Sequence, residues 1–171
     1  MLVTYNRENA VAYARAFAKK RNLVYKDYHD YGGDCTNFIS QCLVAGNMSF
    51  DHQGEDLSEQ WYWYSDSYRT PSFTSAAQLR YYLLAPYPAH GIQARVVSFS
   101  ELAIGDIIFK TMNHKLTHTM IVTKLLYEPS GHLYDVLIAQ HSEDLLDFPL
   151  SQKQGEMMYV HIAGCYLADS E

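Results

Sequence analysis

Two glycines, an acid and a cysteine open a helical pattern in residues 32–42, which read GGDCTNFISQC. Asp34 is a good helix N-cap, so Cys35 is predicted to lie in the first helical turn. The unpaired N–H groups of such a turn carry partial positive charge and stabilise a thiolate. They can also bind the oxyanion that forms when the thiolate attacks a carbonyl. A buried cysteine that happens to open a helix is the alternative, and this segment alone does not decide between the two.

A nucleophilic cysteine needs a base, and the chain has eight histidines. His118 opens the apolar segment His-Thr-Met-Ile-Val-Thr, and a strand start is a rigid place from which an imidazole can point into a cleft. His114 is the near competitor, although its Asn-His-Lys setting predicts a turn. His141 ends the next predicted strand. Hairpin neighbours bring that end close to the start of the His118 strand, so His141 could orient His118.

The other two cysteines, Cys42 and Cys165, are predicted to be small buried apolar side chains. Three cysteines cannot all pair within one chain, so no disulfide scaffold is implied.

Composition indicates an ordinary globular protein, with 48% hydrophobic and 19% charged residues. At 171 residues, a single domain over 1–171 is the default expectation, and we expect a monomer. A net charge of −6 argues against nucleic acid as a partner. The apolar runs are too short for a membrane span, and the first residues lack the pattern of a signal peptide.

The first half of the chain predicts helices, and the second half predicts strands. The expected helices cover about 7–20, from 34 or 35 to Gly46, and 75–84, the last ended by Pro86 and Pro88. The expected strands cover 107–109, 120–123, 134–139 and 158–167, with a turn at 128–131 that makes the middle pair an antiparallel hairpin. Helices followed by strands indicate an α+β fold, with N-terminal helices packed on a C-terminal antiparallel sheet.

A long irregular stretch, 47–71, holds both tryptophans, Trp61 and Trp63. Loops of this length are often lids or binding loops. The aromatic faces of 61–64 and 81–82 could line a cleft for sugars or extended peptides, and packing in the core is the alternative.

Four segments together resemble the putative amidase domain family, which is similar to CHAP-type amidases and bacterial cell-wall peptidases of the papain-like group. They are Tyr28–Gln41, Gly105–Phe109, His118–Thr123 and Ala139–Ser142. The resemblance runs from the first helix to Leu150, and its most specific part is the block around Cys35. It implies a papain-like fold and a cysteine-dependent amidase or peptidase of extracellular or cell-wall location. Peptide or peptidoglycan is the implied substrate, and the reaction requires no metal or organic cofactor.

The resemblance also implies roles for individual residues. It places the nucleophile on Cys35, the base on His118 and a third polar residue on the following strand. His141 takes that third position, with Gln140, Ser142 and Asp144 as alternatives. Asp34 precedes the nucleophile, and no upstream glutamine supplies the second oxyanion donor. By analogy with related peptidases, Tyr31 supplies that donor, with Tyr28 as the alternative.

Two functions of other classes compete with the amidase. One is a zinc-binding module built from His114, His118 and either Cys35 or His141, although the predicted strand removes the advantage that this spacing has on a helix. The other is an inactive domain that keeps the fold and binds cell wall or peptide through its aromatic residues.

Overall fold

The computed structural model describes residues 1–85 and 90–167. Within them, the helices are α1 (Arg7–Phe17), α2 (Cys35–Ala45), α3 (Pro71–Thr74) and α4 (Ala76–Leu84). The second and fourth lie where the sequence predicts them, whereas α1 ends three residues earlier than expected. Pro86 and Pro88, which were expected to end the last helix, lie outside the described residues.

The strands are β1 (Leu2–Thr4), β2 (Gly91–Val97), β3 (Ile107–Met112), β4 (Lys115–Tyr127), β5 (Leu133–Gln140), β6 (Leu145–Pro149) and β7 (Glu156–Tyr166). They form one sheet in which all the pairings are antiparallel. Along the sheet, β7, β3, β4, β5 and β6 are successive neighbours. Strand β2 pairs with 159–166 of β7, and β1 pairs with 164–166 of the same strand. The architecture is α+β, as the sequence predicts.

Helix α1 begins where a side chain satisfies its first free N–H groups. Asn6 Oδ1 accepts a hydrogen bond from the Asn9 N–H at 3.0 Å and so caps the helix. Ala10 and Ala14 are fully buried on its inner face, so this helix can pack closely on its neighbours.

Helix α2 is the most deeply buried helix segment, with every residue from Thr36 to Leu43 buried. Gly46 follows its last turn, and its N–H bonds to the Cys42 carbonyl at 3.0 Å. A Cβ at Gly46 would lie 2.3 Å from the Tyr5 ring, so only glycine fits against that tyrosine. The rigid surroundings of α2 fix the position of Cys35 at its start.

The sheet carries a hydrophobic core on each side. The helix face packs against α1, α2 and α4 through side chains such as Phe109, Ile121 and Ala139. The outer face carries a second core that includes Met120, Val122, Ile138 and residues of the flanking loops. Successive side chains of a strand point to opposite faces of the sheet. A shift of one residue along the strand therefore moves a side chain from one core to the other.

The hairpin of β4 and β5 turns where the sequence predicts. The Gly131 N–H donates to the Glu128 carbonyl at 2.9 Å, and the Glu128 N–H donates to the His132 carbonyl at 2.8 Å. No helix of the described residues has the length and apolarity that crossing a membrane would require.

Candidate functional site

Cys35 lies half-buried at the first residue of α2, on the wall of a polar cleft of about 590 Å³. Cys42 and Cys165 are buried at 0% and 1% exposure, as the sequence predicts. The cleft walls come from the loop before α2, the segment around α3 and the start of β4. Cys35 is therefore the accessible thiol among the three.

The loop that delivers Cys35 needs its two glycines. Gly32 and Gly33 have φ angles of 96° and 106°, a conformation that side chains disfavour. The N–H groups of Tyr31 and Gly33 both bond to the Tyr28 carbonyl, at 2.9 and 3.0 Å. A Cβ at Gly33 would lie 3.1 Å from Ser142 Oγ, so the loop fits tightly against the end of β5.

Asp34 occupies the predicted N-cap position, but its carboxylate does not cap the helix. It accepts hydrogen bonds from the Tyr28 N–H and from Asn37 Nδ2, both at 2.9 Å, and contacts His141 Nδ1 at 2.6 Å. The backbone N–H of Asp34 donates to Ser142 Oγ at 3.0 Å. Asp34 thus ties the Cys35 loop to β5 instead of capping α2 or facing the cleft.

His141 does not orient His118, contrary to the sequence expectation. Its ring nitrogens contact Asp34 Oδ2 at 2.6 Å and the Phe17 carbonyl at 2.7 Å. Its ring also stacks on Phe38 at a centroid distance of 4.1 Å. With both nitrogens engaged and the side chain 2% exposed, His141 joins the end of α1 to the Cys35 loop and has no free lone pair for a thiol.

Gln140 is the polar side chain that interacts with His118. Its amide Nε2 donates to the carbonyls of Ser142 and Glu143, at 3.3 and 2.8 Å, which fixes the side chain. Gln140 Oε1 and His118 Nε2 are both buried, and neither has a hydrogen-bond partner within the described residues. Of the open alternatives for the third residue, Gln140 is therefore the one beside the ring.

Burial governs the chemistry of His118. It lowers the pKa of the imidazole to about 4, the Gln140 contact opposes the shift, and the nearby positive charges of Lys153 and Lys110 add to it. His118 is therefore a neutral imidazole at pH 7.

The structure does not bring the His118 ring to the Cys35 sulfur as expected. Thr119 Oγ1 lies 3.2 Å from Thr36 Oγ1, so Thr119 points to the helix face and His118, by alternation, leaves the strand on the side of Met120. The strand is bulged beside His118, where the pairing with β3 shifts register. Within the described residues, Cys35 Sγ has one polar contact, Thr36 Oγ1 at 3.7 Å.

The start of β4 still borders the cleft, through Leu116 and Thr117. His114 lies exposed in the turn before β4 with a φ of 63°, as its sequence setting predicts.

Within residues 1–85 and 90–167, no three His, Cys, Asp or Glu side chains are grouped to hold a metal ion.

Of the two tyrosines considered as oxyanion donors, Tyr31 has the freer hydroxyl. Tyr31 borders the cleft and is 69% exposed. Tyr28 also borders it, but its hydroxyl donates to Asp66 at 2.9 Å and accepts from Trp63 Nε1 at 3.1 Å.

Trp61 and Trp63 do not line the cleft, which corrects the expected substrate-binding role. They are buried at 0% and 8% exposure, and Trp61 Nε1 donates to Ser40 Oγ at 3.2 Å. The aromatic residues that the loop does expose are Tyr64 and Tyr68, which stack on each other with ring centroids 5.1 Å apart. The tryptophans instead fix the long loop to the core.

Arg69 belongs to the cleft but was not recognised from the sequence. Nothing in its Tyr-Arg-Thr-Pro setting marks it, and it reaches the cleft only because Trp63 and Arg69 pair across the folded loop. Its guanidinium stacks over the Tyr28 ring at 4.9 Å and donates to Thr74 Oγ1 at 2.6 Å.

Comparison with known proteins gives one family and two relatives. Residues 4–163 match the family described as "Putative amidase domain". The chain is similar to the uncharacterized protein YhbB of Bacillus subtilis (strain 168), 38% identical over 121 residues, which are 69% of this chain and 37% of that protein. It is also similar to the uncharacterized protein YjcM of the same organism, 31% identical over 170 residues, covering 91% of this chain and 36% of that protein. The chain thus spans little more than a third of the length of these relatives. No solved structure matches.

Proposed function

This chain belongs to the putative amidase domain family, and we propose on that premise that it hydrolyses an amide bond through a thiolate at Cys35. The observation that carries the proposal is the setting of this thiol. It stands half-buried at a helix start on the wall of an open polar cleft, while Cys42 and Cys165 are sealed in the core. A thiol placed for packing alone would not need a loop of two left-handed glycines to present it.

In the proposed reaction, the Cys35 thiolate attacks the amide carbonyl and forms a tetrahedral intermediate. The oxyanion is held by the Cys35 N–H and by the Tyr31 hydroxyl. The intermediate collapses to a thioester as the leaving amine takes a proton from the imidazolium formed at the base. Water then attacks the thioester and gives one of its own protons to the base, and the second tetrahedral intermediate collapses as the C–S bond breaks, releasing the acid and the Cys35 thiolate.

We assign the base to His118, as the family resemblance implies. Its support is chemical, because the ring is neutral at pH 7, touches Gln140 and keeps a buried Nε2 without a hydrogen-bond partner in the described residues. The ring does not contact Cys35 in this conformation, so the proposed transfer requires the bulged start of β4 to turn it toward the cleft when substrate binds. Catalytic hydrogen bonds are often long or poorly aligned in a free enzyme and tighten only in the substrate complex.

The proposed fold class is papain-like, and the proposed substrate is a peptide, with bacterial cell-wall peptidoglycan as the first material to test. The fold class, the substrate and an extracellular or cell-wall location are proposed because the family resemblance implies them. A single domain over 1–171 and a monomeric state are proposed from the length of the chain.

A second candidate function is an inactive domain that binds peptide or cell wall. It is favoured by the missing hydrogen bond between Cys35 and a histidine in the described residues. The two candidates differ in whether product forms.

The deciding experiment digests purified peptidoglycan and identifies new termini by mass spectrometry. We expect new carboxyl and amino termini with the wild-type protein, none with Cys35→Ala, and unchanged products with Cys165→Ala. His118→Ala should lower turnover at least about a hundredfold, the usual contribution of a general base. A fully active Cys35→Ala protein would refute the mechanism, and binding without any new terminus in the wild type would favour the second candidate.

A further inference from the structure

The charge of the cleft is carried by one side chain. Of the described residues that line it, Arg69 alone bears a formal charge, and the others are apolar, hydroxyl or glycine residues and Cys35. This contrasts with the chain as a whole, whose net charge is −6. A single cation on the wall of an otherwise uncharged cleft favours an anionic ligand.

The charge of Arg69 is only partly balanced by its neighbour. Its Nε lies 3.5 Å from Asp66 Oδ1, too far for a good hydrogen bond, and this nitrogen is buried without a hydrogen-bond partner among the described residues. Asp66 instead binds Lys26 Nζ at 2.8 Å and the Tyr28 hydroxyl at 2.9 Å. Lys26 and Arg69 therefore share the single carboxylate of Asp66, and these three side chains together carry an excess positive charge.

The guanidinium is also held in place. The Tyr28 ring below it and Thr74 beside it restrict its position, so it can present its remaining N–H groups to a ligand with little loss of side-chain entropy. A planar guanidinium with free N–H groups matches the two oxygens of a carboxylate.

We propose that Arg69 is the anion-recognition residue of this cleft, and that the molecule taken up beside Cys35 is an amide that carries a carboxylate close to the bond to be cleaved. The substrate class is then an acidic peptide, one with an acidic side chain or a free terminal carboxylate next to the scissile amide. This substrate class rests on the proposed function, whereas anion recognition by Arg69 does not.

The test compares two alkylating reagents that differ in charge, iodoacetate and iodoacetamide. Both react with the Cys35 thiol, and their rate ratio reports the electrostatic attraction of the cleft for a carboxylate. We expect Arg69→Gln to lower the iodoacetate:iodoacetamide ratio at least about threefold at low salt, the size of one partly screened charge pair. Adding salt should shrink the wild-type preference and leave the variant unchanged.

A second variant separates a charge effect from a disturbed loop, in case Arg69→Gln alters the loop conformation. Asp66→Asn removes the shared carboxylate, so it should raise the same ratio while Arg69→Gln lowers it. Arg95→Gln, which removes an exposed positive charge on β2, is the matched control and should leave the ratio unchanged. A loosened loop would change both reagent rates together, so only a charge effect moves the ratio in opposite directions.

Protection of Cys35 by a bound dicarboxylate complements the reagent ratio. Succinate should slow the iodoacetamide reaction of the wild-type protein and fail to slow that of Arg69→Gln.

An unchanged reagent ratio in Arg69→Gln, or equal protection by succinate in both proteins, overturns the inference even if peptidoglycan is cleaved. The expected ratios with no hydrolysis of any amide would instead support anion recognition and refute the proposed reaction. On hydrolysable substrates, replacing the neighbouring carboxylate with a carboxamide should raise KM in the wild type and have little effect in Arg69→Gln.

Discussion

The buried imidazole of His118 gives the molecule a pH-dependent stability that can be measured without any substrate. Its pKa is lowered from 6.5 to about 4 by burial. Between these values the unfolded chain binds a proton that the folded chain does not, so the free energy of unfolding falls as the pH falls from 6.5 toward 4. Above pH 6.5 neither state binds the proton, and the effect vanishes.

Replacement of His118 should therefore flatten this acid branch. We expect wild type to lose up to about 3 kcal/mol from this group between pH 6.5 and 4, and His118→Gln to lack that loss in urea unfolding at each pH. His132→Gln, at an exposed turn, is the control and should follow wild type. Parallel curves for wild type and His118→Gln would show that the ring titrates alike in both states.

At the residue scale, the sequence predicts the position of Cys35 because its signals are local. The two glycines, the acid and the following apolar pattern lie within a few residues and depend on little else. The roles around His118 depend on register instead, and a shift of one residue exchanges the two faces of a strand. The bulge beside His118 and the capture of His141 by Asp34 are tertiary events that no local pattern encodes.

At the scale of elements, β1 depends on a glycine of the strand it pairs with. Gly164 pairs with Thr4, and a Cβ on Gly164 would lie 2.2 Å from the Val3 carbonyl oxygen. Gly164→Ala should therefore displace β1 and lower the free energy of unfolding by about 1–3 kcal/mol, as overpacking commonly does.

Hydrogen exchange can locate that effect. The amides of Leu2–Thr4 should exchange faster in Gly164→Ala, while those of β4 in the sheet centre should change little. Ala163→Ser, at the exposed neighbouring position, should leave β1 protected. Unchanged protection of β1 in Gly164→Ala would mean that the strand tolerates the added methyl group.

The sequence patterns miss three strands, β1, β2 and β6, and two of these, β1 and β6, share a physical cause. β1 has three residues and β6 has five, the latter including Asp147 and Pro149, both of which disfavour strands. Their conformation comes from pairing with β7 and β5. The long strands β4 and β7 carry enough alternation or apolar content to be predicted in part from their own residues.

At the scale of the whole molecule, both cores share one sheet, which predicts cooperative unfolding. Ile138 is fully buried in the outer core, and Trp61 is fully buried in the helix-face core. Ile138→Ala should destabilise the molecule by about 3 kcal/mol and shift the unfolding transition seen by tryptophan fluorescence, although Trp61 lies on the other side of the sheet.

The comparison that checks this prediction uses two probes. In wild type, fluorescence and far-ultraviolet circular dichroism should report the same unfolding midpoint. In Ile138→Ala the two probes should again agree with each other, at a lower midpoint than in wild type. Val96→Ala, at an exposed strand position with 55% exposure, is the control and should leave both midpoints nearly unchanged. A fluorescence midpoint that stays at the wild-type value while the dichroism midpoint falls would show that the two cores unfold separately.

The strand at one border of the sheet has a consequence for how these molecules behave when crowded together. A straight border strand offers unpaired N–H and C=O groups to any other chain that approaches. Here β6 is short, turns into the left-handed region at Asp147 with a φ of 51°, pairs that residue with Arg15 and ends in Pro149. A second molecule meets no regular row of hydrogen-bonding groups along β6, so we expect this border of the sheet to resist strand-to-strand aggregation.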